Sequence, residues 1–289
     1  MTLRKATPDD AAALERFLAQ HPDTSMFLRG NMEEQGVGIS DHPHSADYWI
    51  WGGRGAIRAV FGLTAKGYVM VQCPGREPEA MAAFARAVAG RRMLGLTGEA
   101  GQAAALLEAL GVAGQMHLNR AEPLYAMALA DLPAGAEEIR APQASDGDLL
   151  EDWFLHYQVD TGMMPGPVPE ALAEAKERRE GVIAGRPLCR LMIEGGRPVA
   201  MAAINSRVAD MVQVGGVFVP RDLRGRGLAR RVTAALLREE AAKGASRAVL
   251  FAASETAARA YEAIGFLRIG DYLMAMAPGP VTIPGGVAA

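Results

Sequence analysis

Cysteine is scarce in this chain: Cys73 and Cys189 are its only two in 289 residues, too few for a disulfide framework or a metal cluster. Each stands alone in an apolar, strand-like setting, which predicts buried thiols. Charge of one sign is lacking too. The 30 Lys and Arg against 33 Asp and Glu leave a net charge of −3 and an isoelectric point near 6.0. No overall basic field draws the chain to nucleic acid, and no basic stripe interleaved with aromatics is present, so a nucleic-acid partner is not expected. No run approaches the roughly 18 apolar residues that cross a bilayer, and the first ten residues, MTLRKATPDD, contain no apolar signal segment. The expectation is a cytoplasmic chain without a membrane partner. His42 and His44 flank Pro43 with no third ligand nearby, so no metal site is expected.

What is present is ample apolar material. Half of the residues are hydrophobic and 22% are charged, the balance of a globular protein, and 289 residues exceed the usual length of one domain. The two halves resemble each other. Leu3-Arg4-Lys5-Ala6 followed by Thr7-Pro8-Asp9-Asp10 parallels Ile139-Arg140-Ala141 followed by Ser145-Asp146-Gly147-Asp148, each reading as a strand leading into a capped helix. The strand 90–96 and helix 99–110 parallel the strand 246–251 and the helix ending at Ile264, each closed by a glycine, Gly111 or Gly265, where a left-handed C-cap is expected. The segments 122–128 and 270–276 read as closing strands.

Between these anchors, strands are expected at Tyr48–Trp51, Ala56–Leu63 and Tyr68–Cys73 in the first half. In the second half they are expected at Leu188–Glu194, Pro198–Ser206 and Met211–Val219, with Gly195-Gly196 forming a tight hairpin. Helices at 226–243 and 254–264 alternate with strands, so both halves read as α/β. Asp131 to Ala136 reads as a linker, and the Pro- and Gly-rich residues 278–289 as a flexible tail.

The segment richest in chemistry is VFVPRDLRGRGLARR, residues 217–231: an apolar strand, a Gly/Arg-rich turn and the start of a helix. Gly225 and Gly227 allow close backbone approach, the helix start directs unpaired amides and a positive dipole end outward, and the arginines add charge. This is a cradle for an anion such as a pyrophosphate. It lacks the Gly-Lys-Ser/Thr of a Walker loop, and Arg230 stands where a dinucleotide fingerprint needs its third glycine.

The turn resembles the phosphate-binding motif of the GNAT superfamily of N-acetyltransferases, Gln/Arg-x-x-Gly-x-Gly/Ala, through Arg224, Gly227 and Ala229. Downstream, Ala257, Tyr261, Gly265 and Phe266 match that family's Asn-x-x-Ala-x-x-x-Tyr-x-x-x-Gly-Phe element, with Ser254 in place of the usual Asn. The resemblance implies two tandem GNAT-like lobes, each a mostly antiparallel sheet with a splayed parallel pair flanked by helices. The catalytic lobe would span residues 138–277. Residues 1–132 would be a degenerate lobe, because Cys73-Pro74-Gly75-Arg76-Glu77-Pro78 replaces the phosphate motif. The layout resembles that of mycothiol synthase.

The implied activity is transfer of an acetyl or short acyl group from acetyl-coenzyme A to a primary amine of a small molecule; the alternative is a non-catalytic acyl-coenzyme A sensor. Val217, Phe218 and Val219 would pair with pantetheine after a bulge at Gly215-Gly216. An amide near Val217 would stabilise the oxyanion, an effect of about 3–4 kcal/mol. Arg224, Gly225, Arg226, Gly227, Leu228, Ala229 and Arg230 would hold the pyrophosphate, Ser254 would make a further coenzyme contact, and Tyr261 would protonate the departing thiolate. No general base is identified: the strand offers Gln213, and Asp210, His156, Tyr157 and Asp160 are expected to be structural or positioning residues.

Overall fold

Every strand that the alternation of the sequence suggests is found. The computed structural model describes residues 1–53, 55–164 and 168–284. The chain forms two units, one of Met1–Glu122 together with the segment from Asp271 onward, the other of Pro123–Gly270.

In the first unit, strands β1 (Thr2–Lys5), β2 (Ala46–Gly53), β3 (Ala56–Thr64), β4 (Tyr68–Gln72) and β5 (Arg92–Glu99) lie side by side in chain order. Only β4 and β5 run parallel. Helices α1 (Ala11–Leu18) and α2 (Met26–Gln35) pack Leu14, Leu18 and Leu28 onto Tyr48, Ile50 and Val60. Helices α3 (Pro78–Ala87) and α4 (Ala100–Ala109) pack Phe84, Leu106 and Leu107 onto Trp49, Phe61 and Val69. Neighbouring residues of β2 thus enter opposite cores, which is why this strand is a continuous hydrophobic run rather than an alternating one.

The second unit repeats the plan. The strand β6 (Leu118–Ala128) contributes its last six residues, followed by β7 (Ile139–Arg140), helices α5 (Gly147–Asp160) and α6 (Pro169–Ile183), and strands β8 (Leu188–Glu194), β9 (Arg197–Val208) and β10 (Met211–Phe218). Helix α7 (Leu228–Ala242), strand β11 (Arg247–Phe251) and helix α8 (Glu255–Glu262) complete it. The sheet order is β6-β11-β10-β9-β8-β7, with β10 and β11 parallel and the other pairs antiparallel. Helices α5 and α6 cover one face, α5 through Leu150, Trp153 and Phe154 and α6 through Ala175 and Val182. Helices α7 and α8 cover the other through Val232, Leu236 and Tyr261. Both cysteines are buried, Cys73 in the α3–α4 core of the first unit and Cys189 in the α5–α6 core of the second, and burial pushes the Cys189 thiol up to about 12.

The repeat extends to individual bonds. Arg4 donates two hydrogen bonds to Asp10, at 2.7 and 2.6 Å, and Arg140 donates two to Asp146, at 2.6 and 2.8 Å. Each aspartate also accepts from the backbone three residues upstream, Thr7 N at 2.9 Å and Gln143 N at 2.7 Å. Each pair thereby clips the first strand of a lobe to the start of its first helix.

The lobe boundaries expected at 132, 138 and 277 are not those observed. The last strand of the chain, β12 (Leu267–Thr282), pairs from Tyr272 onward with β5 of the first unit, while Leu124 to Ala128 of β6 pair with β11 of the second. The closing strands are therefore exchanged between the lobes. The flexible tail expected from residue 278 is also corrected. Val281 and Thr282 pair with Met93 and Arg92, and Ile283 is fully buried. Pro278, Gly279 and Pro280 fall in the irregular stretch between Met276 and Val281, where no ladder amide is demanded of them. Residues 285–289 of that expected tail lie outside the described residues.

The Asp146 carboxyl is held below the usual carboxylate range by the hydrogen bonds from Arg140, against a smaller opposing effect of burial. A lowered folded value stabilises the native state above the unfolded pKa, and the contribution disappears as pH falls through the folded value. Asp146→Asn is expected to cost about 1.5–3 kcal/mol at pH 7 and progressively less below about pH 4. Denaturant titrations of both proteins at pH 7 and pH 3 check this.

Candidate active site

The site begins where two strands part. Strands β10 and β11 pair in parallel through Met211–Arg247, Val212–Ala248 and Gln213–Val249, and there the pairing ends, although β10 continues to Phe218 and β11 to Phe251. On its other edge β10 stays joined to β9 through Val214–Ile204, Gly215–Ala203 and Phe218–Met201, with register shifts after Gln213 and after Gly215. An added residue opposite a pair bends a strand away from its neighbour. Asn205 is that added residue, between Ser206 and Ile204, and Gly216 in the second shift has a φ of +58°. The segment Val214 to Phe218 thus keeps an open backbone edge toward β11. In the first unit, by contrast, β4 and β5 stay paired through Val71–Gly98, one residue short of both strand ends.

Beyond β10 the chain makes a short turn at Arg221–Leu223 and enters α7. Gly225 and Gly227 have φ of +80° and +72°, so both bends need a left-handed residue. Gly227 is the N-cap of α7, and Leu228, 2% exposed, anchors the first turn in the core. The amides of Gly225, Arg226, Gly227, Leu228, Ala229 and Arg230 precede the first helical bond, from Arg231 N to Gly227 O. None has a hydrogen-bond acceptor among the described residues. Six adjacent unsatisfied donors at a helix start form an anion-binding surface.

Most of the surrounding arginines are already committed. Asp160, at the end of α5, accepts from Arg221 at 2.5 Å and from Arg224. Burial pushes its carboxyl up, but the two guanidinium bonds outweigh this and hold it below its usual value. Arg224 also donates Nε to Val219 O at 3.0 Å and lies over the Phe218 ring at 5.9 Å, which packs on Trp153 at 5.7 Å. Arg226 and Arg231 bind Glu194 at 3.1 and 2.6 Å. Arg230 has no carboxylate partner among the described residues, and its guanidinium rests on Gly227. Arg224, which the motif suggests as an anion ligand, is thus tied to Asp160 and to the Val219 carbonyl, while the Arg230 guanidinium has no carboxylate partner among the described residues.

Ser254 is the N-cap of α8, its hydroxyl oxygen accepting from Ala257 N at 3.2 Å, which leaves its O–H proton and one lone pair for another partner. Tyr261 lies in α8, 7% exposed, its ring 6.1 Å from Phe266 in the core that also holds Val212, Val214, Ala248 and Leu250. Val217 and Val219 pack on this same core, whereas Phe218 enters the α5–α6 core. His156 stands half-exposed with Nδ1 3.3 Å from Asp152. Gln213 is buried, donates Nε2 to Val214 O at 2.7 Å, and its Oε1 has no partner.

Asn205 escaped the sequence reading altogether. A side chain at Gly215 would meet its carboxamide, because a Cβ there would stand 1.9 Å from Nδ2 and 2.9 Å from Oδ1. The one available signal was the pair Gly215-Gly216 inside an otherwise β-branched strand, and it marks the clearing, not its occupant.

Residues 168–274 match the family model described as the acetyltransferase (GNAT) domain. Among solved structures, a Drosophila protein superposes with a TM-score of 0.63 at 14% identity, over 96% of this chain and 98% of its own. A GCN5-related N-acetyltransferase from Sphaerobacter thermophilus gives 0.53 at 17% identity, over 99% and 97%. A GNAT-family acetyltransferase from Colwellia psychrerythraea gives 0.52 at 11%, over 96% and 100%. No curated protein matches. At these identities the likeness is one of fold: a mixed α/β architecture whose sheets carry parallel and antiparallel strands flanked by helices. Among the described residues no helix is long and apolar enough to cross a membrane.

Both turn glycines carry positive φ, but a Cβ at Gly225 meets nothing within 4 Å, whereas one at Gly227 stands 3.0 Å from the Arg230 Nε. Gly225→Ala is expected to cost about 1–2 kcal/mol through backbone strain alone. Gly227→Ala should cost the same and also move the Arg230 guanidinium. Chemical denaturation of the two variants measures the strain, and their difference in anion affinity isolates the displacement.

Proposed function

We propose that the unit Pro123–Gly270 is a cytoplasmic N-acetyltransferase that moves an acetyl or short acyl group from acetyl-coenzyme A to a primary amine of a small molecule. The observation that carries this reading is the parting of β10 from β11 directly before six free amides at the start of α7. An open strand edge suits the amide groups of pantetheine, and the turn, with Arg230, suits a pyrophosphate. The match of residues 168–274 to the acetyltransferase domain supports the same assignment.

In this mechanism Val217, Phe218 and Val219 hold pantetheine, and an amide near Val217 faces the thioester oxygen. Gly225 to Arg230 bind the pyrophosphate through the backbone, with the Arg230 guanidinium over it. Arg224 supports the turn from behind, and the Ser254 O–H donates to the coenzyme. The acceptor nitrogen attacks the carbonyl carbon, the carbon–sulfur bond breaks, and Tyr261 gives its phenolic proton to the thiolate, recovering one from the amine through solvent. A phenol of ordinary pKa near 10 stays protonated at neutral pH and suffices for a thiol leaving group of about 8.5.

The first unit is read as a degenerate copy. Its parallel pair stays closed, and the carboxylates of its loop region are engaged: Glu77 accepts from Trp51 and Arg58, and Glu99 caps α4.

Acetyl-coenzyme A at 100 times its Kd adds about 2.7 kcal/mol to native stability, so the unfolding temperature is expected to rise by several degrees. Arg230→Glu should abolish most of that rise. Tyr261→Phe should keep the rise and lower kcat about 10- to 100-fold. No shift at millimolar coenzyme would reject the assignment, and a shift without turnover over a broad amine panel would favour a coenzyme sensor.

A further inference from the structure

The face of the sheet beneath α5 and α6 carries two neutral carboxamides, Asn205 and Gln213, and α5 adds a third, Gln158. Asn205 occupies the β9 bulge, is exposed and has no hydrogen-bond partner among the described residues. It shares a face with Ala203, because Gly215 pairs with Ala203 and would meet Asn205 through its missing side chain. Gln213 points to this face, since its neighbours Val212 and Val214 enter the opposite core. Gln158 lies one turn beyond Phe154 on the buried stripe of α5, and its Nε2 donates to Ala171 O at 3.3 Å. The Oε1 atoms of Gln158 and Gln213 are both buried without a donor. A buried carbonyl oxygen left unpaired is unfavourable, and with two of them this layer is rich in acceptors and poor in donors.

Charge is dealt with otherwise. Asp160 is bound by Arg221 and Arg224, His156 and Asp152 pair with each other on α5, Arg178 lies over Phe154 and Tyr157, and Cys189 is buried. Strands β9 and β10 carry no carboxylate or imidazole, the Glu194 carboxylate of β8 is bound by Arg226 and Arg231, and residues 165–167, Pro-Gly-Pro, carry no titratable side chain. A carboxamide oxygen can accept from an ammonium ion but cannot take its proton, so a site served by carboxamides alone acts on an amine that reaches it uncharged.

Resting on the acetyltransferase reading above, we propose that Asn205 binds the acceptor amine through its carboxamide oxygen, and that the acceptor is a weakly basic, arylamine-type amine that arrives uncharged. The Oδ1 atom accepts one N–H of the nitrogen and leaves the lone pair directed along β10 toward Val217, two residues beyond Gly215. The nitrogen–carbon bond forms, the carbon–sulfur bond breaks, and the proton shed by nitrogen replaces through solvent the one that Tyr261 gives to sulfur, so no carboxylate base is required. Gly215 is the clearing that lets the carboxamide lie on the strand.

The experiment compares p-toluidine with benzylamine, similar in size but differing in basicity, as acceptors for the full chain with acetyl-coenzyme A at pH 7. The wild-type protein is expected to favour p-toluidine at least tenfold in kcat/KM. Asn205→Ala should raise the p-toluidine KM about tenfold while the coenzyme KM stays put, and Asn205→Asp should shrink the preference at least tenfold. A wild-type preference for benzylamine, or an unchanged p-toluidine KM in Asn205→Ala, overturns the proposal. Coenzyme binding without acetylation of either amine also overturns it and leaves the coenzyme site standing, whereas absence of the thermal shift removes the acetyltransferase reading itself.

Discussion

The second unit depends on the place where a parallel pair of strands stops being a pair. Up to Gln213 and Val249 the sheet satisfies its backbone groups in the ordinary way; beyond them β10 keeps its bonds to β9 and gives up those to β11. A strand edge facing an opening inside a sheet leaves amide and carbonyl groups without partners, which a folded chain tolerates where a ligand can complete them. The bulge at Asn205 and the left-handed Gly216 make the departure mechanically possible. The turn at 221–227 then places the start of α7 immediately after the open edge.

Electrostatics around the turn follow from its shape. Six unpaired amides and five arginines in one short segment would repel one another, and the fold sets Asp160 and Glu194 against four of the arginines. What remains positive is the backbone and Arg230. Fixed backbone dipoles at a helix start are suited to an anion, because their geometry needs no rearrangement when a ligand arrives.

The two units share a plan but not this opening. Each begins with an Arg–Asp clip and each contains a single parallel pair of strands. In the first unit β4 and β5 are paired almost to their ends, and the loop after β4 is tied down: Cys73 N donates to Gln102 Oε1 at 2.5 Å, and Arg76 binds Glu99 at 3.3 Å. A loop already satisfied by its own side chains has little to offer a ligand.

By itself the sequence determined the local elements, because strands, helices and glycine caps obey periodicities and dihedral preferences that neighbouring residues enforce. Gly111, Gly195, Gly196 and Gly265 take positive φ where turns or caps were expected, and the 217–231 segment forms the strand, turn and helix that its residues suggest. The Arg4 and Arg140 clips were visible only as parallel residues, not as bonds. Tertiary structure alone decided the rest. Which unit each closing strand joins is a contest between nearly equivalent sheet edges, so β12 pairs with β5 and β6 with β11 although the linear order suggested otherwise. The same strand pairing draws Val281 and Thr282 onto a neighbour and buries Ile283, which a Pro- and Gly-rich composition does not foretell. The capture of Arg224 by Asp160, and the lodging of Asn205 over Gly215, join residues far apart in the chain or on facing strands. Such contacts depend on sheet register and helix placement, and no spacing in the sequence encodes them.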